Sequence, residues 1–313
     1  MNTIQVIKAG ALTTVQDLGR PGFGVMGISP SGAADPVSLR IGNRLAGNPD
    51  NAAAIEMTVI GGHFQFSGRT VVALTGADLS ARIGHGRVRQ YQSFVVNPGD
   101  VLECGSSIGR ARAYLCVQGG IDVPEFLGSR ATHLLSGLGG YGGRALRKGD
   151  ILNIGACNPD FRARQLAGQG HTNLVPRTIF RVTQGPQWEM FTEAAKRLFF
   201  EQTYKVSASA DRTGIRLEGI PLELVSNRDM LTEGVSLGAV QIPRDGKPII
   251  LFVEQQTTGG YPKIANIIGA DLYRVGQLQT HHEIHFELVS FEAARALLLR
   301  LEEYLTSPAL IGE

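Results

Sequence analysis

Cysteine, lysine, tryptophan and long apolar runs are all scarce in this chain, and each shortage removes a class of protein. The three cysteines, Cys104, Cys116 and Cys157, are an odd set with no Cys-x-x-Cys spacing, so neither a disulfide framework nor a zinc knuckle is encoded. Reduced thiols in the cytoplasm are the simple reading. No apolar run approaches the roughly 20 residues of a membrane helix. Residues 1–8 alternate like a strand and lack the basic-then-apolar order of a signal peptide. We therefore expect no membrane association.

The net charge of +2 is close to neutral, which argues against a general nucleic-acid binder, because displacing counterions from phosphates needs clustered Lys and Arg. Only six of the 30 basic residues are lysine. Arginine supplies the rest, and its planar fork suits carboxylate or bicarbonate groups as well as structural ion pairs. Two further absences concern cofactors. There is no Gly-x-x-x-x-Gly-Lys-Ser/Thr loop to cradle ATP phosphates, and no lysine stands between methionines as in a biotin carrier. We expect this chain to bind no cofactor alone and to work as one component of a multicomponent enzyme.

What is abundant is glycine, at 40 of 313 residues, which implies many tight turns and a mainly β architecture. Strand-like runs cover residues 5–8, 55–60, 71–75, 93–96, 113–117, 180–182, 248–253 and 284–289. Helices are few. One is expected to take Asp35 as N-cap and Pro36 as first residue, to bury Val37, Ile41 and Leu45, and to stop at Gly47. A second begins after Ser290, with apolar residues at Phe291, Ala294, Leu298, Leu301 and Leu305. Residues 158–177 lose periodicity and read as a linker between halves 1–157 and 178–313. The halves echo one another faintly: Asp17-Leu-Gly-Arg-Pro-Gly22 against Asp211-Arg-Thr-Gly214, and Gly119-Gly120 against Gly259-Gly260.

Several apparent motifs carry no chemistry. Gly137-Leu-Gly-Gly-Tyr-Gly142 matches a dinucleotide pattern, but residues 144–150 are too short and interrupted for the receiving helix, so it reads as a turn. His281-His-Glu-Ile-His285 looks metal-rich, yet on a strand His281, Glu283, His285 and Glu287 form a solvated face while Ile284, Phe286 and Leu288 point inward. At ~3.3 Å per residue, His281 and His285 would be too far apart to share an ion. His63, His85, His133 and His171 are scattered, and no metal site is expected.

Two polar, glycine-rich segments stand out. Residues 248–253 form a core-strand signature that runs into Glu254-Gln-Gln-Thr-Thr-Gly-Gly-Tyr-Pro262, a concentration of acceptors, amide donors and hydroxyls. Here Gly259 and Gly260 are expected to allow backbone conformations and close approach denied to other residues. Near the other end, Gln16, Asp17, Arg20, Ser31 and Asp35 bring both charge signs and a hydroxyl into a segment bent by glycine and proline. We expect the two segments to line one cavity.

Taken with the blocks Asn43-Arg-Leu-Ala-Gly-Asn48, Leu74-Thr-Gly-Ala-Asp78, Gly119-Gly-Ile-Asp-Val-Pro124, Gly128-Ser-Arg130 and Ala239-Val-Gln-Ile-Pro243 in that order, these segments resemble the carboxyltransferase A/B-domain family. The family includes the C component of bacterial 5-oxoprolinase, the second component of allophanate hydrolase, the KipA regulator and part of urea carboxylase. Gln118 and Glu254 depart from its pattern, where we expect a small apolar residue and an aspartate. The resemblance implies two cyclophilin-like β-barrel subdomains with a few helices. It further implies the C component of a multisubunit ATP-dependent 5-oxoprolinase, an amide (lactam) hydrolase active only with partners, namely a B-like (KipI-like) 5-oxoprolinase chain and an A-like one. ATP would be used by the complex. The alternatives it carries are a biotin-dependent carboxyltransferase component for a urea-like or amide substrate, and a KipA-like regulator without chemistry. Within the first reading, Glu254 and Asp17 are the catalytic candidates. Gln16, Arg20, Ser31, Asp35, Arg212, Gln256, Thr257, Thr258, Gly259, Gly260 and Tyr261 are the substrate-binding candidates, with Arg20 or Arg212 clamping a carboxylate.

Overall fold

The computed structural model describes residues 2–156, 162–167, 178–226 and 230–312. The chain divides into two units. One comprises Met1–Arg20, Ser31–Val175 and Tyr304–Glu313, and the other Pro21–Pro30 and Pro176–Glu303. Most of segment 158–177, expected as a linker, lies outside the described residues; of its described part, Gln165–Leu166 is a strand paired antiparallel with Ile311–Gly312.

The first unit is built of two antiparallel sheets. One runs in the order Ile121–Asp122, Ile151–Ile154, Thr3–Lys8, His63–Phe66, Val101–Glu103, Arg82–Ile83, Gly86–Arg87, and the other in the order Leu12–Gln16, Ala54–Thr58, Ile108–Val117, Thr70–Asp78, Ser93–Val96. Period-two alternation decides which side chains meet between them: Ile4, Val6, Phe64, Phe66, Leu102 and Leu152 from the first sheet share one core with Ile55, Met57, Val72, Leu74, Leu115 and Val117 from the second. Thr70–Asp78 is buried at all but its last position because its other face is covered too. The cover is helix α1, Pro36–Ala46, whose Leu39 and Ala46 pack with Tyr114 and Cys116. Local chemistry sets its ends as the sequence predicts: the Asp35 carboxylate accepts from the Ser38 N–H at 2.9 Å, Pro36 opens the helix, and Gly47 closes it at φ 82°.

The second unit is a closed barrel of seven strands in the order Ile179–Gln184, Lys263–Ile267, Ala239–Gln241, Ile249–Leu251, Gly214–Glu218, Tyr204–Val206, Glu283–Leu288. A parallel pairing of Ile179–Gln184 with Glu283–Leu288 closes it. Closure gives every barrel strand a neighbour on both sides, so the barrel has no free edge. Helix α2, Glu193–Glu201, which is not among the expected helices, is capped by Thr192 Oγ1 accepting from the Ala195 N–H at 3.1 Å. It stacks Phe199 on Phe286 with ring centroids 4.5 Å apart. A single turn, α3 at Leu272–Val275, precedes α4 at Phe291–Thr306. Helix α4 forms where expected, but its apolar face is open: Phe291 is 70% exposed and Leu305 alone is buried.

The histidine-rich segment needs two corrections. His281 precedes the strand and sits at φ 69°, so it does not share the strand face, and Leu288 is half-exposed at the strand's last position instead of facing inward. Among the described residues, no helix is long and apolar enough to cross a membrane, and no group of three or more His, Cys, Asp or Glu is placed to hold a metal ion.

Candidate functional site

The two polar segments belong to different units, and each is described within its own. In the first unit, Asp17 is nearly buried and both its oxygens accept: Oδ1 from the Gly19 N–H and the Ser129 hydroxyl, each at 2.7 Å, and Oδ2 from the Arg130 N–H at 2.5 Å. The carboxylate thereby pins residues 129–130 to the end of strand Leu12–Gln16. Arg20, fully buried, works on the same loop. Its guanidinium donates to the carbonyls of Phe126 and Ala131 and lies 5.8 Å over the Phe126 ring. Gln16 donates to Thr132 O at 3.0 Å, and the Ser31 hydroxyl donates to the same carbonyl at 2.7 Å. These four candidates thus converge on one connection, residues 126–132, and bind mainly its main chain.

Asp35 heads a second buried network. Beyond capping α1, its Oδ2 accepts from the Ser38 hydroxyl at 2.6 Å and from Arg110 at 3.3 Å. Its own N–H donates to Tyr114 Oη at 2.7 Å, and that hydroxyl donates to Glu56 at 2.7 Å. Burial and the neighbouring Glu56 and Asp35 carboxylates push the Tyr114 phenol well above its ordinary value.

In the second unit, strand Ile249–Leu251 ends earlier than the apolar run predicts, but the chain keeps its bonding: Phe252 N–H donates to Thr213 O at 3.0 Å and Glu254 N–H to Arg212 O at 2.9 Å. This lines up Glu254 with Arg212, and Arg212 Nε meets Glu254 Oε1 at 2.5 Å, both side chains buried. The candidate acid or base and the candidate clamp are bonded to each other. Asp211, which precedes the arginine, instead closes a turn by accepting from the Thr213 N–H at 2.8 Å. Asp17 does the same for Gly19, so the echo between the segments is an aspartate-capped turn used twice.

After Glu254 the chain turns outward. Gln256 is exposed and donates to Gln241 Oε1 at 3.2 Å. Thr257 O accepts from the Val235 N–H at 3.1 Å, and Thr258–Gly259 pairs with Glu233–Gly234 in a ribbon separate from the barrel. The glycines differ from expectation. Neither Gly259 nor Gly260 has a positive φ, whereas Gly119 and Gly120 sit at 88° and 69°, so the two glycine pairs are not conformational counterparts. Gly259 lies close to a side chain instead: a Cβ there would stand 2.5 Å from Gln241 Nε2. Gly260 and the half-exposed Tyr261 line a cavity of about 850 Å³ with Leu222, Met230, Pro243 and Arg244. That is a size suited to a small molecule.

Sequence reasoning missed a partly buried polar set beside this ribbon. Gln241 and Lys263 are partners across the strand pair, Lys263 Nζ meets Glu233 Oε1 at 2.6 Å, and Gln187 donates to that oxygen at 2.9 Å. Gln241 Nε2 and Gln255 Oε1 are buried with no hydrogen-bond partner. The available signal was polarity out of place: Gln241 and Lys263 interrupt strands whose neighbours, Val240 and Ile264, are fully buried.

Comparison with known proteins agrees with this architecture. Residues 26–288 match the family model described as carboxyltransferase domain, subdomain A and B. The chain is 40% identical to the C component of 5-oxoprolinase from Escherichia coli K12 over 93% of each chain, and 35% identical to the same component from Haemophilus influenzae over 96% of each. It superposes on the crystal structure of the K. lactis urea amidolyase with a TM-score of 0.91 and 32% identity, covering 97% of this chain and 20% of that one. A barrel closed around one buried core, a second core between two sheets, and a match running through both units lead to one assignment: the chain belongs to the carboxyltransferase A and B subdomain family.

Proposed function

We propose that this chain is the C component of a 5-oxoprolinase, acting with A-like and B-like chains to open 5-oxoproline to glutamate at the expense of ATP. The carrying observation is the near end-to-end match to the Escherichia coli C component, 40% identical over 93% of both chains. Water adds across the lactam C–N bond, the nitrogen gains a proton to become the amino group, and the carbonyl carbon becomes a carboxylate. The lactam is stable, so ATP drives the step, and a polar pocket that limits water access protects any activated acyl group. We assign ATP binding to a partner, because this chain carries no P-loop.

On this reading the second unit supplies the substrate-facing surface. Gly260 and Tyr261 line the cavity, Gln256 and Thr258 are the polar residues of the loop leading to it, and the Arg212–Glu254 pair holds the start of that loop. Glu254 serves proton transfer only if Arg212 releases it. Asp17, Arg20, Gln16 and Ser31 act as positioning residues for the 126–132 connection. A carboxyltransferase reading is favoured by one observation, the TM-score of 0.91 against the urea amidolyase. Co-expression with A-like and B-like chains, assayed with and without an added carboxybiotin carrier, separates the two: glutamate release from 5-oxoproline with ADP formation supports the first, and transfer of the carboxyl group from carboxybiotin to an amide nitrogen, leaving free biotin on the carrier and no lactam cleavage, supports the second.

A further inference from the structure

The partly buried polar set beside the ribbon has the chemistry of an anion cradle, and it already holds an anion. Gln187 cannot turn its amide freely: its Oε1 accepts from the Lys263 N–H at 3.2 Å, which leaves Nε2 facing Glu233. Gln241 is fixed likewise, with Oε1 accepting from Gln256 and Nε2 left unpartnered beside Gly259. Lys263 and Gln241 are 3% and 1% exposed, so an ammonium and an amide N–H are held out of water together. Such donors are costly to bury without an acceptor. Glu233 is different. It is 45% exposed at the side chain and sits on the two-residue ribbon with Thr258–Gly259, which is joined to no larger sheet. So short a ribbon belongs to the easily opened part of a fold.

From this geometry we infer that Lys263 Nζ, Gln187 Nε2 and Gln241 Nε2 form a binding subsite for the carboxylate of a small organic acid; the Glu233 carboxylate holds its Lys263 and Gln187 donors in the free chain, and the ligand takes them over by displacing it. One point charge and two amide donors match the two oxygens of a carboxylate: Glu233 Oε1 already takes Lys263 Nζ and Gln187 Nε2, and Gln241 Nε2 is left for a second oxygen. Access is local. Met230, Gly260 and Tyr261, which flank the ribbon in sequence, line the 850 Å³ cavity. A Cβ at Gly259 would stand 2.5 Å from Gln241 Nε2 and would push that amide out of the space where the ligand oxygen would lie. The inference deepens the proposed function, on whose substrate, a lactam bearing one carboxylate, its first arm rests.

The test uses the purified full chain and ligand-observed NMR with 5-oxoproline, 2-pyrrolidinone (the same lactam without the carboxylate) and acetate. Glu233→Gln removes the competing anion and should tighten 5-oxoproline about tenfold, the scale of one charge-assisted interaction, without changing 2-pyrrolidinone. Adding Lys263→Gln should abolish the gain. If that variant fails to fold, Glu233→Gln with Gly259→Ala should abolish it instead. Acetate tightened by Glu233→Gln while 5-oxoproline is unaffected upholds the subsite and counts against the substrate reading. No gain for either carboxylate in Glu233→Gln overturns the subsite, and leaves lactam cleavage by the assembled complex to be judged separately.

Discussion

Arg212 and Glu254 meet at 2.5 Å with 5% and 2% of their side chains exposed, although 42 positions separate them in sequence. A buried charge left alone is far more costly than a buried pair is stabilising, so removal of either partner should cost about 3–5 kcal/mol. Replacing both by methionine should cost much less than the sum of the single changes. Urea denaturation of the two single variants and the double variant measures this directly. Additive losses would mean that the two side chains do not depend on each other.

For Asp17, positioning and catalysis give opposite outcomes. Its oxygens accept from Gly19, Ser129 and Arg130, so Asp17→Asn turns one acceptor into a donor against a donor and should destabilise the chain by roughly 1.5–3 kcal/mol. Hydrogen exchange should speed up at Ser129 and Arg130. Loss of activity in the complex with unchanged stability and exchange would instead point to chemistry at Asp17.

Helix α1 depends on its two ends. Asp35→Ala should cost about 1–2 kcal/mol for the lost cap, and more if the network through Arg110 also loosens. Gly47→Ala forces a side chain into a left-handed position at φ 82° and places its Cβ 2.8 Å from Arg164 Nη1, so it should cost at least ~1 kcal/mol. Thermal denaturation of both variants reads these losses, and an unchanged Gly47→Ala protein would contradict the cap.

Acid should weaken the Arg144–Asp150 pair. Arg144 donates to both Asp150 oxygens, at 2.7 and 2.9 Å, and this holds the Asp150 carboxyl below its usual value, helped by the Arg147 N–H. A depressed carboxyl contributes its stability in full above the unfolded value of about 3.9, and loses it as pH falls through the lower folded value. The melting-temperature gap between wild type and Arg144→Gln should therefore be constant near neutrality and close below roughly pH 4. A gap that persists at the lowest pH would show that the arginine acts by packing alone.

Local signals in the sequence sufficed for some elements and not for others. Helix α1 was legible because Asp35, Pro36 and Gly47 each act within a turn of their own position, and strand Ser93–Val96 because β-branched and aromatic residues announce it. Helix α2 was missed although Thr192 caps it and its apolar residues recur at helical spacing, since it is only nine residues long and Phe199-Phe200 suits a strand as well. The candidate site was legible as a loop but not as a set of partners. Arg212 with Glu254, and Lys263 with Glu233, are pairs chosen by barrel register, which sequence spacing does not reveal. Gly259 was singled out for backbone freedom and close approach; its φ is not positive, and the close approach is to the Gln241 amide.

The most direct measurement of the central claim is glutamate and ADP production from 5-oxoproline and ATP by this chain co-purified with A-like and B-like partners, compared with the same preparation lacking this chain. Both products should form, in step, only in the complete complex. Full activity without this chain, or a complete complex that leaves 5-oxoproline intact and, when given a carboxybiotin carrier, carboxylates a urea-like amide, would contradict the role proposed for this chain.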